Sequence, residues 1–354
     1  VLNIILLGIT SLLTDASTEM VYPLIPLYLS AKLGASPAII GLIEGIAESL
    51  ASLLKVFSGN LSDRLRKRKP LAIFGYTFSG LGKLILYVAN AWGWVLTSRI
   101  VDRFGKGIRT APRDALIADS TKSNQLGMAY GLHRAMDTIG AAIGVSLAIV
   151  LLSMNQGNFN QVFIWALIPA LLGVFILFFT KERLAPIKIV RKELSLKWKV
   201  LPRRLKLFLI IVFLFALGNS SNQFLILRAK NLGLSIITVL LVYLFYNLIF
   251  GVFAFPIGKI SDRIGRKKVL VIGYLVYGLV YFGFALGNSP ELVWILFGIY
   301  GLYSAFTEGI EKALVAEVAP ETYRGTLIGL HATLVGIGLF PASLLAGLLW
   351  SIWG

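Results

Sequence analysis

Two stretches of this chain, 199 positions apart, spell the same phrase: Gly59-Asn-Leu-Ser-Asp63-Arg64 and Gly258-Lys-Ile-Ser-Asp262-Arg263. Each closes an apolar run, leads into a burst of Lys and Arg, and precedes another apolar run. Leu33-Gly34 recurs as Leu232-Gly233 after 199 positions. Ala115-Leu-Ile-Ala-Asp119 recurs as Ala313-Leu-Val-Ala-Glu317 after 198, and Gly131-Leu132-His133 as Gly329-Leu330-His331 after 198. A near-constant offset kept over most of the chain marks a tandem duplication. The fold is therefore constrained to be one unit written twice.

The copied unit belongs in a membrane. Of the 354 residues, 57% are hydrophobic and only 14% charged, against about 25% charged in soluble domains. Mainly apolar runs of the length that a bilayer-spanning helix needs fall near 3–30, 37–58, 71–90, 92–118, 126–153, 161–180, 206–228, 235–257, 269–287, 291–316 and 326–353. The expectation is an all-α, polytopic membrane protein with about eleven spans: an N-terminal bundle over 1–180, a basic linker over 181–205 and a second bundle over 206–354. The repeat gives the sixth helix a counterpart near 360–378, so a twelfth span is expected beyond Gly354. Glycine pairs such as Gly127-x-x-x-Gly131, Gly140-x-x-x-Gly144 and Gly325-x-x-x-Gly329 point to close helix packing.

The net charge of +17 would suggest nucleic acid if it covered a soluble face. Instead it sits in loops between apolar runs: at Arg64, Arg66, Lys67, Arg68 and Lys69, through 181–206, and at Lys259, Arg263, Arg266, Lys267 and Lys268. The alternate connections near 90, 155 and 288 carry no Lys or Arg. The positive-inside rule then puts the basic loops and the N-terminus in the cytoplasm, in a cell (inner or plasma) membrane. The lipid bilayer is the partner and nucleic acid is not. The absence of cysteine excludes disulfides, thiolate metal sites and a Cys nucleophile. Two histidines, with no HExxH and no Ser/His/Asp constellation, leave no basis for an enzyme, a metal or a cofactor. No cleavable signal peptide is expected, because the first apolar run contains Asp15 and Glu19.

At these loops the chain resembles the major facilitator superfamily, whose signature reads roughly Gly-x-x-x-Asp-Arg-x-Gly-Arg-Arg/Lys. Gly258 to Lys267 matches it throughout, and the first copy departs once, with Arg66 for the second Gly. A second signature, Arg-x-x-Gln-Gly, is approximated by Arg103-Phe-Gly-Lys106-Gly107. The resemblance implies two pseudo-symmetric six-helix bundles and a secondary transporter, expected to be monomeric. It also implies alternating access around a cavity lined by helices one, four, seven and ten. Asp63 and Arg64, with Asp119, are implied to hold the outward-facing form, and Gly258, Asp262 and Arg263 are their counterparts. Physically, Gly59 permits close approach of helix ends and Asp63 can pair with a base or cap a helix, so the loop can latch and release. Helix five lacks the Gly-Pro-x-x-Gly-Gly usual in drug/proton antiporters of this superfamily.

Ionisable groups inside spans are costly and mark function by default. Asp15 and Glu19 sit one turn apart on the face of helix one that carries Tyr22 and Pro26, a pair suited to carrying a proton. Helix two offers Glu44 and Glu48, helix four Arg103 and Lys106, and helix five Asp137. In the second half, Asn219, Asn222 and Tyr246 are neutral hydrogen-bonders, and helix ten adds Glu308 and Glu311. Arg99, Arg109, Arg113, Asp114 and Asp119 lie near enough to the cytoplasmic end to form structural pairs. The expected solute is a small anionic or polar organic molecule that meets Arg103 and Lys106 while Asp15 or Glu19 exchanges a proton. The alternative is multidrug or cation efflux by proton antiport, with the carboxylates as counter-charges.

Overall fold

The computed structural model describes residues 2–65, 67–121, 126–182, 201–318 and 324–353. Among them all regular structure is helical. Eleven helices follow one another: α1 Leu2–Ala31, α2 Pro37–Leu65, α3 Arg68–Tyr87, α4 Trp92–Asp119, α5 Leu126–Met154 and α6 Phe159–Leu177, then α7 Arg203–Asn231, α8 Ile236–Ile264, α9 Arg266–Leu286, α10 Pro290–Val318 and α11 Arg324–Trp353. Each coincides with one expected span. Eight are long and apolar enough to cross a bilayer, and α2, α3 and α4 are the more polar remainder. Most of the expected linker, 183–200, lies outside the described residues.

The duplication reappears in the punctuation of the helices. α1 and α7 run out at Gly34 and Gly233, whose φ of +60° and +92° would strain any residue with a Cβ. Two positions later Ser36 and Ser235 open α2 and α8. The Ser36 hydroxyl accepts the Ile39 N–H at 3.4 Å and the Ser235 hydroxyl accepts the Thr238 N–H at 3.1 Å, each satisfying a donor orphaned at a helix start. Both long helices are also broken at matching places. α1 is interrupted by the tight turn Tyr22–Leu24, which contains Pro23 and is followed by Pro26, and α7 between Gly218 and Gln223. Irregular backbone at this depth must be satisfied by protein or line a cavity. The Gly218 carbonyl accepts the Tyr277 hydroxyl at 2.8 Å, and the Ser221 N–H donates to the Ser343 hydroxyl at 3.2 Å.

Helices α1–α6 pack among themselves, with α1 against α5 and α6 and α4 against α2 and α3. Helix α10 gathers α8, α9 and α11 into the second half. Gly140 and Gly144 behave as expected: a Cβ on either would collide with the carbonyl oxygen of Leu12 or Ala16 on α1. Gly131 and Gly329 face open space, so neither of these two glycines serves close packing. The halves meet along α2 and α11, along α5 and α8, and where the ends of α1 and α7 touch.

The apolar cores show how the halves are joined. At the short-loop end one cluster mixes residues from both halves, among them Leu24, Ile25, Val145 and Phe163 with Leu227, Val239 and Phe297. At the basic end the cores stay within one half. Ile4, Leu7, Tyr76 and Ile117 form one; Leu205, Leu209, Val315 and Leu327 form another; Ile257, Val269, Leu270 and Ile310 form a third. Among the described residues the molecule is thus sealed across its middle by a shared apolar core at one end, while at the other its cores are divided between the halves.

A candidate substrate cavity between the halves

Where α1 and α7 are broken, a cavity of about 450 Å³ opens between the halves. Its first-half wall carries Asp15, Thr18, Glu19 and Tyr22 from α1, Glu48 from α2, Asp102, Arg103, Lys106 and Arg109 from α4, and Arg134 and Asp137 from α5. Its second-half wall carries Asn219 to Asn222 from the break in α7, Tyr243, Tyr246 and Asn247 from α8, and Glu308 from α10. A side pocket of about 210 Å³ shares Asn219, Asn222, Tyr246 and Glu308 with it and is completed by Phe215, Tyr300, Tyr303, Ser304, Thr307 and Glu311. Ten of the twelve proposed solute or proton residues therefore line the larger cavity, and Glu311 lines the smaller.

Glu44 lines neither. It is entirely buried and gripped in parallel by Arg99, with Nε to Oε1 at 2.7 Å and Nη2 to Oε2 at 2.8 Å. The pair anchors a network of three carboxylates and three cations. Arg103 reaches Glu48 at 3.2 Å and Asp102 at 3.7 Å, Arg99 reaches Asp102 at 3.6 Å, and Lys83 reaches Asp102 at 3.8 Å. Formal charge cancels within this set, which is the condition for burying so many ions. The guanidinium groups of Arg99 and Arg103 also lie over the Tyr22 ring, 5.6 and 5.9 Å from its centroid, a cation–π geometry. The network therefore positions Tyr22, the residue at which α1 breaks.

Arg103 is thus committed to protein carboxylates, whereas Lys106 has no ion-pair partner within 4 Å among the described residues. Arg109 donates to the Ser79 hydroxyl at 2.5 Å and lies 4.4 Å over the Tyr76 ring. Asp15 has neither a hydrogen bond nor an ion pair among the described residues. Glu19 accepts the Tyr243 hydroxyl at 3.0 Å across the divide between the halves. Asp137 faces His133 at 3.4 Å, and its other oxygen is buried without a partner. Arg134 and Glu308, 3.2 Å apart, form the one ion pair between the halves among the described residues.

The opposite wall is built from neutral groups. Asn222 Oδ1 accepts the Tyr300 hydroxyl at 2.6 Å, the Asn219 amide donates to the Tyr303 hydroxyl at 3.2 Å, and Tyr246 and Ser304 share a hydrogen at 3.0 Å. Tyr300 and Tyr303 were not among the expected site residues. A signal was present, since Tyr300, Tyr303, Ser304, Thr307, Glu308 and Glu311 fall on one helical stripe. Arg134 and Tyr243, polar groups inside α5 and α8, were not among the expected site residues either; their importance lies in partners from the other half.

The loop motifs tie helices within a half. Arg266 reaches Asp262 at 2.9 Å and Glu317, at the end of α10, at 2.7 Å. In the first half Arg68 reaches Asp119, at the end of α4, at 2.6 Å. Both partners are 198 positions apart from their counterparts, so the duplication has preserved an interaction as well as a sequence. The side chains of Asp63 and Arg64 lie outside the described residues. A Cβ on Gly59 would approach Ala111 at 3.3 Å, while Gly258 meets open space; Arg263 is exposed.

A polytopic helical fold built by duplication around a central polar cavity is the architecture of a membrane transporter. The family model of the Major Facilitator Superfamily matches residues 7–340, and the chain belongs to that superfamily. It is 40% identical over 356 residues to an uncharacterized MFS-type transporter of Methanocaldococcus jannaschii, covering 99% of this chain and 89% of the relative. It is 25% identical over 328 residues to the multidrug resistance protein MdtH of Blochmanniella pennsylvanica, covering 90% and 78% respectively. Its fold superposes on the crystal structure of a mutant of the nucleoside transporter NupG with a TM-score of 0.85 at 15% identity, over 99% and 92% of the two chains. The expected superfamily, the all-α fold and the multi-pass membrane character are borne out.

Proposed function

We propose that the chain is a secondary active transporter, not an enzyme, that carries a small anionic or polar organic solute by alternating access, coupled to protons. One observation carries this reading: a carboxylate and an ammonium without an ion-pair partner among the described residues, Asp15 and Lys106, share one cavity between the halves. Asp15, one turn from Glu19, is placed to take up and release a proton, and Lys106 to meet the negative charge of the solute. The sealed short-loop end and divided basic end correspond to one of the two states that rocking about a central site requires. With positive charge inside, that state opens to the cytoplasm, where the N-terminus also lies. Residues 1–180 and 206–354 are then the two bundles, joined by the linker 181–205, working as a monomer in the inner or plasma membrane.

The test is proton flux in proteoliposomes, followed with an entrapped pH dye as small carboxylates and phosphates are added. Substituting Asp15→Asn with Glu19→Gln should abolish solute-linked proton movement. Unchanged gradient dependence would remove coupling at this pair. The likeness to MdtH supports a second reading, efflux of drug-like cations against protons. Tetraphenylphosphonium binding lost in Asp15→Asn would favour it, and carboxylate or phosphate binding lost in Lys106→Met would favour the first.

A further inference from the structure

The side pocket has a chemistry that neither the proton site nor the anion site requires. Among the described residues no Lys, Arg or His lines it, whereas Glu308 and Glu311 do, one turn apart on the same face of α10. Aromatic rings surround it, with centroids 5.4 Å apart for Tyr246 and Tyr300, 5.2 Å for Tyr300 and Tyr303, and 6.4 Å for Phe215 and Tyr303. Asn219 uses its amide N–H on Tyr303, which leaves its carbonyl oxygen for a ligand.

Glu311 is held in place. The Tyr274 hydroxyl donates to one of its oxygens at 2.9 Å and His331 Nε2 meets the other at 3.1 Å, while the imidazole stacks on Phe208. His331 Nδ1 is buried without a partner. We assign the proton to Nε2, since a buried N–H with no acceptor costs more than a buried lone pair. The imidazole then donates to the carboxylate through Nε2. The duplication supplies a contrast: 198 positions earlier, His133 is retained but Arg113 stands in the place of Glu311. The carboxylate at this position is therefore particular to the second half.

Two carboxylates, of which Glu308 is shared with Arg134 at 3.2 Å, the negative faces of several rings and amide oxygens suit a positively charged hydrogen-bond donor. The pocket falls below the roughly 300 Å³ of drug-sized sites, so it matches one ring or a short chain. We propose that the side pocket is a subsite for an organic ammonium group, so that the solute carries a protonated amine beside its anionic or polar part. The second part of this rests on the anion site proposed above; ammonium binding itself does not.

Calorimetric titration of the purified protein in detergent tests it with three matched probes: phenethylammonium, neutral 3-phenylpropanol and anionic 3-phenylpropionate. Phenethylammonium should bind, and 3-phenylpropanol should not compete with it. Glu311→Gln should weaken phenethylammonium by about ten- to a hundredfold, as expected for loss of a charged hydrogen-bond acceptor. Because Glu311 also holds Tyr274 and His331, Glu308→Gln, at a half-exposed position, should weaken it too. Lys106→Met should weaken 3-phenylpropionate without weakening phenethylammonium. Failure of that last result alone sinks the anion site and leaves the pocket standing. Phenethylammonium binding no tighter than that of 3-phenylpropanol, or indifferent to both carboxylate substitutions, overturns the proposal.

Discussion

Replacing Glu44 by Gln removes the charge of the most deeply buried partner in the first-half network. Glu44 has no exposure and Arg99 retains 3%, and their two contacts at 2.7 and 2.8 Å are parallel. Once Glu44 is neutral, the carboxylates nearest Arg99 are Asp102 at 3.6 Å and Glu48 at 3.9 Å, both already shared with Arg103. Removing one member of a buried pair costs about 3–5 kcal/mol. The remaining carboxylates and the Gln carbonyl oxygen offset part of this, so a loss near the lower end, about 3 kcal/mol, is expected. The double substitution Glu44→Leu with Arg99→Met removes one charge of each sign and leaves the network balanced. It should recover to within about 1–2 kcal/mol of the parent, because apolar replacement of a buried pair is often near neutral. Thermal unfolding of purified protein in detergent, checked against denaturant melts, reads both. A single variant as stable as the parent, or a double variant as unstable as the single, would refute the reasoning.

Two further outcomes follow from helix contacts and loop pairs. Gly144→Leu drives a side chain into the Ala16 carbonyl on α1 and should destabilise by about 3 kcal/mol or prevent folding; at Gly131, which faces open space, Ala should be tolerated, and detergent-stable yield compares the two. Arg266→Ala breaks contacts whose side chains are 28–62% exposed, so its stability cost should stay under about 1 kcal/mol after solvent screening. If the loop acts as a latch, the same variant should change the transport rate in proteoliposomes far more than the melting temperature, and a parallel loss of both would make the pair merely structural.

Much of this molecule is legible in one dimension because its rules are local. A bilayer demands runs of about twenty apolar residues whose backbone groups are satisfied within the helix, and the eleven helices fall where those runs lie. The duplication was equally readable, down to the glycines at the ends of α1 and α7; the serines that restart the chain two positions later showed their part only as helix caps. The wall was less so. Asp15 and Glu19 stand out as charges in an apolar helix, whereas Tyr300 and Tyr303 look like ordinary membrane tyrosines until Asn222 and Asn219 meet them.

The sequence alone determined that the chain spans a membrane as two related units and which charges enter the apolar zone. It could not decide which of those charges cancel, since an ion pair is set by distance in space between helices remote in the chain. Glu44 and Glu48 are one turn apart and alike on paper, yet only Glu44 is swallowed by Arg99, while Glu48 reaches the cavity beside Arg103. Among the described residues Lys106 is left without an ion pair, because helix packing has already given Glu48 and Asp102, the carboxylates of α2 and α4 that share its cavity, to Arg103. That choice belongs to the tertiary structure.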